Sequence, residues 1–224
     1  MKRVVDVTVS AFALVLLWPL GLVIAAAVTL GDGGPAFFRQ ERIGRGGRTF
    51  RMWKFRTMIV GAERGGRHLT VGRDPRVTRV GAVLRRTKLD ELPQLLNVLR
   101  GTMSMVGPRP EVPRYVAFYT ADERAVLRLT PGITDPASLR YRDESDELAQ
   151  SADPERTYIE HVVPEKIRLN LAYAARATWR SDIGVIWATA RMLARGSSSA
   201  TPSKSAPSAD EVGEGPMARS AVGR

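Results

Sequence analysis

The sequence predicts an α+β fold, mostly helical, in which an apolar N-terminal segment precedes a small basic domain. Three observations carry that expectation. Val7 to Leu30 is a run of 24 residues without a charge. Residues 31–58, "GDGGPAFFRQERIGRGGRTFRMWKFRTM", alternate short apolar pieces with glycines, the pattern of strands and turns. Later segments repeat apolar residues at helical spacing, as in Leu92, Leu95, Leu96 and Leu99.

The first element is residues 1–30. At about 1.5 Å per residue its uncharged run would make a helix of about 36 Å, enough for a bilayer core of about 30 Å. A cleaved signal peptide fits poorly, because the run exceeds the usual apolar length and Asp6 precedes it. A simple spanning helix meets a conflict. Lys2 and Arg3 lie before the run, while Arg39, Arg42, Arg45, Arg48, Arg51, Lys54 and Arg56 follow it, so both flanks ask for the cytoplasm. Pro19 offers a resolution. It removes one helical hydrogen bond and would divide the run into halves of about 18 Å each. A re-entrant helix hairpin broken at Pro19 returns both flanks to one face. A bent spanning helix is the alternative, since membranes tolerate proline.

Phe37–Phe38 and Phe50–Trp53 supply the apolar parts of the expected strands, with Gly44, Gly46 and Gly47 in the turn. Residues 61–80 are Gly- and Arg-rich, with a turn at Asp74-Pro75. The helix that follows Asp90 should end at Gly101, and Pro93 should fall in its first turn. Glu111 to Leu129 reads as a helix, as do Ile159–Tyr173 and Trp179–Arg195. The last of these sets Trp179, Ile183, Ile186, Trp187, Ala190 and Leu193 on one side. That stripe suits either core packing or an interfacial membrane helix. Ser197–Arg224 is rich in Ser, Ala, Pro and Gly and reads as a disordered tail. The expected domains are therefore 1–30, 31–196 and 197–224.

Composition narrows the chemistry. The chain has no cysteine, which excludes disulfides and thiolate metal sites. With only His68 and His161, a histidine zinc site is disfavoured. The formal charge is +11. Lys204, Arg219 and Arg224 balance Asp210, Glu211 and Glu214 in the tail, so the excess belongs to residues 1–196. A basic domain of this strength asks for an anionic partner. No nucleic-acid motif or aromatic base platform is present, which leaves phosphorylated substrates and lipid headgroups.

Against that background Asp90 and Glu91 stand out. Thr87 and Asp90 have the spacing of a helix capping box, and acids suit a helix N-terminus. However, Arg73, Arg76, Arg79, Arg85, Arg86 and Lys88 crowd the approach. Within such a cluster both carboxylates should have lowered pKa values and stay ionised. The cations could hold a pyrophosphate. One carboxylate could hold Mg²⁺ together with substrate phosphates, and the other could attack phosphorus. On a helical first turn the two point about 100° apart, which suits two roles.

Several segments, in order, carry a family resemblance: "KRVVD" with its apolar run, "FFRQERIGRGGRTFRMWKFRTM", "DPRVTRVGAVLRRTKLDELPQLLNVLRGTMSMVGPRPE", "PGIT" and "SDIGVIWATARMLARG". Over residues 1–196 the chain resembles the bacterial sugar transferases, that is, the monotopic phosphoglycosyl transferases. The resemblance implies a re-entrant membrane helix, interfacial helices and a small catalytic domain on the cytoplasmic face of the bacterial inner membrane. It implies transfer of a sugar-1-phosphate from a UDP-sugar to polyprenyl (undecaprenyl) phosphate in the lipid bilayer. That reaction is the first membrane step of exopolysaccharide, capsule, O-antigen or glycoprotein glycan synthesis. Asp90 matches the family's nucleophile, which carries a covalent phosphosugar, and Glu91 matches its partner in holding Mg²⁺. Arg85 matches a phosphate-contacting arginine, and Lys54, Arg56 and Arg109 match positions lining the same site. Three departures qualify this. Trp18 stands before the membrane proline where many members have serine. Asp135-Pro136 follows "PGIT" where many have Gly and an aromatic. The multi-span N-terminal region of larger members is absent, which reads as a minimal catalytic unit. Nothing in the sequence selects the sugar or sets an oligomeric state.

Overall fold

The computed structural model describes residues 1–62, 69, 71–72 and 74–194. The expectations for Arg73, His68, Arg195 and the 197–224 tail lie outside them. The described chain is α+β and mostly helical, with two small sheets.

Helix α1 runs from Lys2 to Asp32 without interruption and carries Pro19 inside it. The expected pair of half-helices separated at Pro19 is therefore corrected to one continuous helix. The physical reason lies on its inner face. Asp6, Ser10, Leu14, Leu17, Gly21, Ile24 and Val28 recur at helical spacing and are buried or half-buried. Turns on both sides of Pro19 are thus seated on the domain, and the proline itself is exposed. The helix keeps its path at the cost of one backbone hydrogen bond. Gly33 closes it in the left-handed conformation, φ 71°.

Both ends of α1 are tied to the same domain. At the start, Lys2 Nζ donates to Asp182 Oδ2 at 2.5 Å and to the Val106 carbonyl at 3.0 Å. Arg3 donates to the carbonyls of Val98 and Leu99. Asp6, 5 % exposed, accepts from Ser104 Oγ at 2.8 Å and from the Met105 amide at 3.1 Å. At the other end Ile24 and Val28 pack with Phe55 and Leu84. Asp32 meets both guanidinium nitrogens of Arg56. Phe12, Val15, Leu16, Trp18, Leu22 and Val23 face outward, exposed. By length and composition α1 is long and apolar enough to cross a membrane.

Strands β1 (Phe37–Ile43) and β2 (Thr49–Phe55) form an antiparallel hairpin, with Phe37 opposite Phe55 and Ile43 opposite Thr49. Gly46 and Gly47 take positive φ in its turn. Strand alternation puts Phe38, Gln40 and Arg42 on the same inward face as Phe50, Met52 and Lys54. Met52 joins Val98 and Met103 in a small core beneath the hairpin.

Helix α2 is Arg79–Thr87, capped by the Thr78 hydroxyl on the Gly81 amide. A 3₁₀ turn, Leu89–Glu91, leads into α3, Gln94–Arg100, which ends at Gly101. Strands β3 (Ser104–Val106) and β4 (Gly132–Thr134) pair in parallel. Between them the expected Glu111–Leu129 helix is corrected to two short pieces, α4 at Pro113–Val116 and a 3₁₀ turn at Glu123–Arg128. Thr120 breaks the run, because its amide bonds the Glu123 carboxylate and its hydroxyl accepts from the Glu123 amide. The rest is α5 (Pro136–Arg140), α6 (Glu144–Ala149), α7 (Pro154–Thr157), a π turn, α8 (Val163–Ala174) and α9 (Trp179–Ala194). Val112, Tyr115, Val126, Leu148, Tyr158, Val162, Val163 and Ile167 form the main core under these helices.

Helix α9 settles one open choice. Its buried residues are Asp182 and Val185, while Trp179, Ile183 and Trp187 are exposed. Most of the apolar stripe, Trp179, Ile183, Trp187, Ala190 and Leu193, faces away from the domain, while Ile186 is half-buried beside the start of α1.

The parallel pair depends on a backbone approach that only glycine permits. A Cβ on Gly132 would stand 2.1 Å from the Gly107 nitrogen. Gly132→Ala should therefore cost about 1–3 kcal/mol or more, read as a lowered midpoint of thermal unfolding. An unchanged midpoint contradicts the close approach.

Candidate active site

The site is assembled from three segments far apart in sequence. The first is the turn between α2 and α3. Lys88, with φ 57°, is the non-glycine residue with positive φ among the described residues. It reverses the chain so that Asp90 and Glu91 open the next helical run. The expected Thr87 capping box is corrected, because Thr87 ends α2 and its hydroxyl donates back to the carbonyls of Val83 and Leu84. Asp90 and Glu91 are buried, 6 % and 8 % exposed.

The second segment is β2, whose inward face brings Lys54 to Glu91 at 3.4 Å. The third is the Gly107-Pro108-Arg109-Pro110 loop after β3. Arg109 holds both Glu91 oxygens, Nη2 to Oε1 at 2.5 Å and Nη1 to Oε2 at 3.2 Å. The loop is fixed around it. Gly132 donates its amide to the Pro108 carbonyl at 3.0 Å, and Gly107 donates to the Thr134 carbonyl at 3.0 Å. From β1, Arg42 donates to the Pro110 carbonyl at 2.9 Å and to Glu111 Oε1 at 3.2 Å. Tyr158 donates to the other Glu111 oxygen at 2.5 Å.

Arg85 arrives by a different route. Gly81 lets α2 abut the Thr57 backbone, where a Cβ would meet the Thr57 carbonyl oxygen at 2.0 Å. One turn on, Arg85 Nε donates to Thr57 Oγ1 at 2.8 Å. Lys54, Arg85, Asp90, Glu91 and Arg109 line one open cavity of about 1320 Å³. Arg56 reaches the wall of the same cavity, but its guanidinium is turned to α1, bonding Asp32 and the Pro35 carbonyl. It acts as the clamp on the end of that helix.

The two carboxylates differ electrostatically, which corrects the expectation that both are depressed. Burial pushes Asp90 up from the ordinary carboxylate value, and Lys54 only partly opposes it. Burial also acts on Glu91, but Arg109 and then Lys54 outweigh it and hold Glu91 well below the usual range. Burial lowers Lys54 to about 8, against the attraction of Glu91. Adjacent acids pushed in opposite directions are suited to different tasks.

Sequence reasoning missed Arg42 and Asn97. Asn97 is 2 % exposed; its Oδ1 accepts from the Trp53 amide at 3.0 Å, and its Nδ2 donates to the Arg51 carbonyl at 2.9 Å. It thereby stitches β2 to α3 and sets the distance from Lys54 to the acid pair. The strand alternation that places Lys54 inward also places Arg42 inward, and is the signal that could have found it.

No group of three or more His, Cys, Asp or Glu side chains able to hold a metal occurs among the described residues. The acid pair nevertheless offers hard oxygen donors. Both line the open cavity, with the Glu91 oxygens held at rest by Arg109. Mg²⁺ needs only one or two carboxylates when substrate phosphates supply the rest, so the chemistry of the pair suits that ion.

Residues 1–196 match the family described as bacterial sugar transferase. A Bacillus subtilis (strain 168) protein provisionally named an undecaprenyl-phosphate N-acetylgalactosaminyl 1-phosphate transferase is 48 % identical over 112 residues, covering 50 % of this chain and 63 % of the relative. The UDP-glucose:undecaprenyl-phosphate glucose-1-phosphate transferase of Xanthomonas campestris pv. campestris is 39 % identical over 194 residues, covering 84 % of this chain and 38 % of the relative. The UDP-N-acetylgalactosamine-undecaprenyl-phosphate N-acetylgalactosaminephosphotransferase of Aeromonas hydrophila is 40 % identical over 167 residues, covering 71 % and 37 %. The matched region thus spans between 37 % and 63 % of these relatives' length.

The electrostatics of the site give a direct test. Lys54 should titrate near 8, followed by carbon-13 NMR of the lysine side chain. Glu91→Gln removes the attraction that raises this value, so the Lys54 pKa should fall. A Lys54 pKa that stays the same or rises in that variant contradicts the arrangement.

Proposed function

Because the chain belongs to the bacterial sugar transferase family, we propose that it transfers a sugar-1-phosphate from a UDP-sugar to undecaprenyl phosphate. The observation that carries this reading is the split acid pair in a cation-lined cavity. The transferase names of the relatives support the same reaction class.

Asp90 is the nucleophile. Burial raises its basicity, and its place in the cavity wall gives it access to phosphorus. It attacks the sugar-bearing phosphorus of the UDP-sugar and expels UMP, leaving the phosphosugar on its carboxylate. Undecaprenyl phosphate then attacks that phosphorus and releases Asp90. Arg109 and Lys54, which neutralise Glu91 at rest, offer their charge to the diphosphate. Arg85, held on Thr57, contributes a further cation at the wall. Glu91 is the residue that would hold Mg²⁺, with Asp90 beside it. When bound, that ion polarises phosphoryl oxygens and neutralises developing charge.

The membrane placement follows from α1. A helix that spans a bilayer ends on opposite faces, whereas both ends of α1 bond one domain. That double tether supports a continuous helix that lies along the domain and meets one leaflet with its exposed apolar side chains, from the cytoplasmic face of the inner membrane, instead of crossing the bilayer. The exposed apolar face of α9, with Trp179 and Trp187, supports an interfacial helix beside it.

The test is UMP release by detergent-purified protein with undecaprenyl phosphate, Mg²⁺ and a panel of UDP-sugars that includes UDP-glucose and UDP-N-acetylgalactosamine. Turnover is expected with one or two donors. Asp90→Asn should reduce it by roughly a thousandfold or more. An active Asp90→Asn variant would sink the covalent step. Chelation with EDTA should abolish turnover and added Mg²⁺ restore it; full activity in EDTA would remove the metal role of Glu91.

A further inference from the structure

Three buried side-chain atoms lack a hydrogen-bond partner among the described residues: Asp90 Oδ1 and both amide atoms of Gln94. Buried polar groups are nearly always paired, so three unpaired atoms on one short stretch of chain call for a reason. Gln94 is fully enclosed, at 0 % exposure. It opens α3 one turn beyond the acid pair, and Leu92 and Pro93 between them keep the right-handed helical backbone. A helical side chain leans back over the turn before it, which directs the Gln94 amide towards Asp90 and Glu91. Asp90 lines the cavity although its Oδ1 is sealed, so it meets the cavity through Oδ2.

We propose that Gln94 is a positioning residue for the nucleophile, donating a hydrogen bond from Nε2 to Asp90 Oδ1 when Oδ2 carries the phosphosugar. The inference rests on the covalent reading given above. In the first half-reaction an Oδ2 electron pair forms the new bond to phosphorus, and the phosphorus–oxygen bond to UMP breaks with its electrons. Asp90 becomes an acyl phosphate, and Oδ1 becomes its carbonyl oxygen. That oxygen lies out of reach of water and needs a donor from the protein. The Gln94 amide has no existing bond to break when it turns to meet it. The same hydrogen bond distinguishes two otherwise equivalent oxygens, so that attack proceeds through Oδ2. In the second half-reaction the acceptor's phosphate oxygen displaces the carboxylate, and Gln94 returns to its unpaired state.

Gln94→Met keeps the side-chain volume and removes both unpaired atoms. The expected result is a thermal midpoint equal to or above wild type, with the single-turnover rate of UMP release from UDP-glucose, or from UDP-N-acetylgalactosamine if that is the active donor, lowered by about a hundredfold. The KM for the donor should be unchanged. A folded variant with wild-type rate overturns the inference, as does a rate loss that follows a fallen midpoint and recovers on cooling. A second measurement uses wild-type protein. With donor present and undecaprenyl phosphate omitted, the Gln94 side-chain amide resonance should move downfield as the phosphosugar accumulates, and an unmoved resonance overturns the inference. An active Asp90→Asn variant removes the covalent reading and this inference together. An inactive Asp90→Asn beside a fully active Gln94→Met removes only the role of Gln94.

Discussion

The buried carboxylate of Glu91 is the constraint on which the site depends. A carboxylate at 8 % exposure is unstable as an anion unless cations meet it. Arg109 and Lys54 do so, and each comes from a different part of the chain. Satisfying that one charge therefore draws the hairpin, the turn after α2 and the loop after β3 to a common point. The secondary contacts serve the same end. Arg42 and Glu111 hold the proline-flanked loop, and Asn97 fixes the hairpin on α3.

The same interaction separates the two acids. Glu91 takes the cations and stays ionised, while Asp90, one residue earlier, is left with burial as its main influence. A single turn of chain thus holds one carboxylate that keeps its charge and one raised in basicity. The reversal at Lys88 is what makes this possible, because it points the pair into the cavity and not along the surface of α2.

The elements that announce themselves by local chemistry were legible in the sequence. The glycine turn of the hairpin, the stop at Gly101 and the acid pair all follow from residues within a few positions of one another, whereas Arg109 entered only through the family resemblance. What was not legible depends on remote partners. Asn97 looks like an ordinary helix-surface residue until the Arg51 carbonyl and the Trp53 amide arrive 46 and 44 residues away in sequence. Pro19 reads as a break because the local rule is correct, yet the domain seats the turns on either side of it and overrides the rule. Arg56 matches a site-lining position by family resemblance and does reach the cavity wall, whereas Asp32, 24 residues earlier, takes its guanidinium. The raised basicity of Asp90 was hidden for a related reason: a count of nearby cations reports charge but not burial.

The tether at the start of α1 also sets an order of assembly. Lys2 bonds Asp182, 180 residues further along, and Asp6 bonds Ser104, 98 residues on. At synthesis rates of about 5–20 residues per second, roughly 10 to 40 s separate Lys2 from its partner at the ribosome. The other partners are made earlier: Phe55 and Leu84, which pack on Ile24 and Val28, and Ser104, which bonds Asp6, all precede Asp182 in the chain. The bond from Lys2 to Asp182 must wait for α9, so the tether at the start of the helix is completed last.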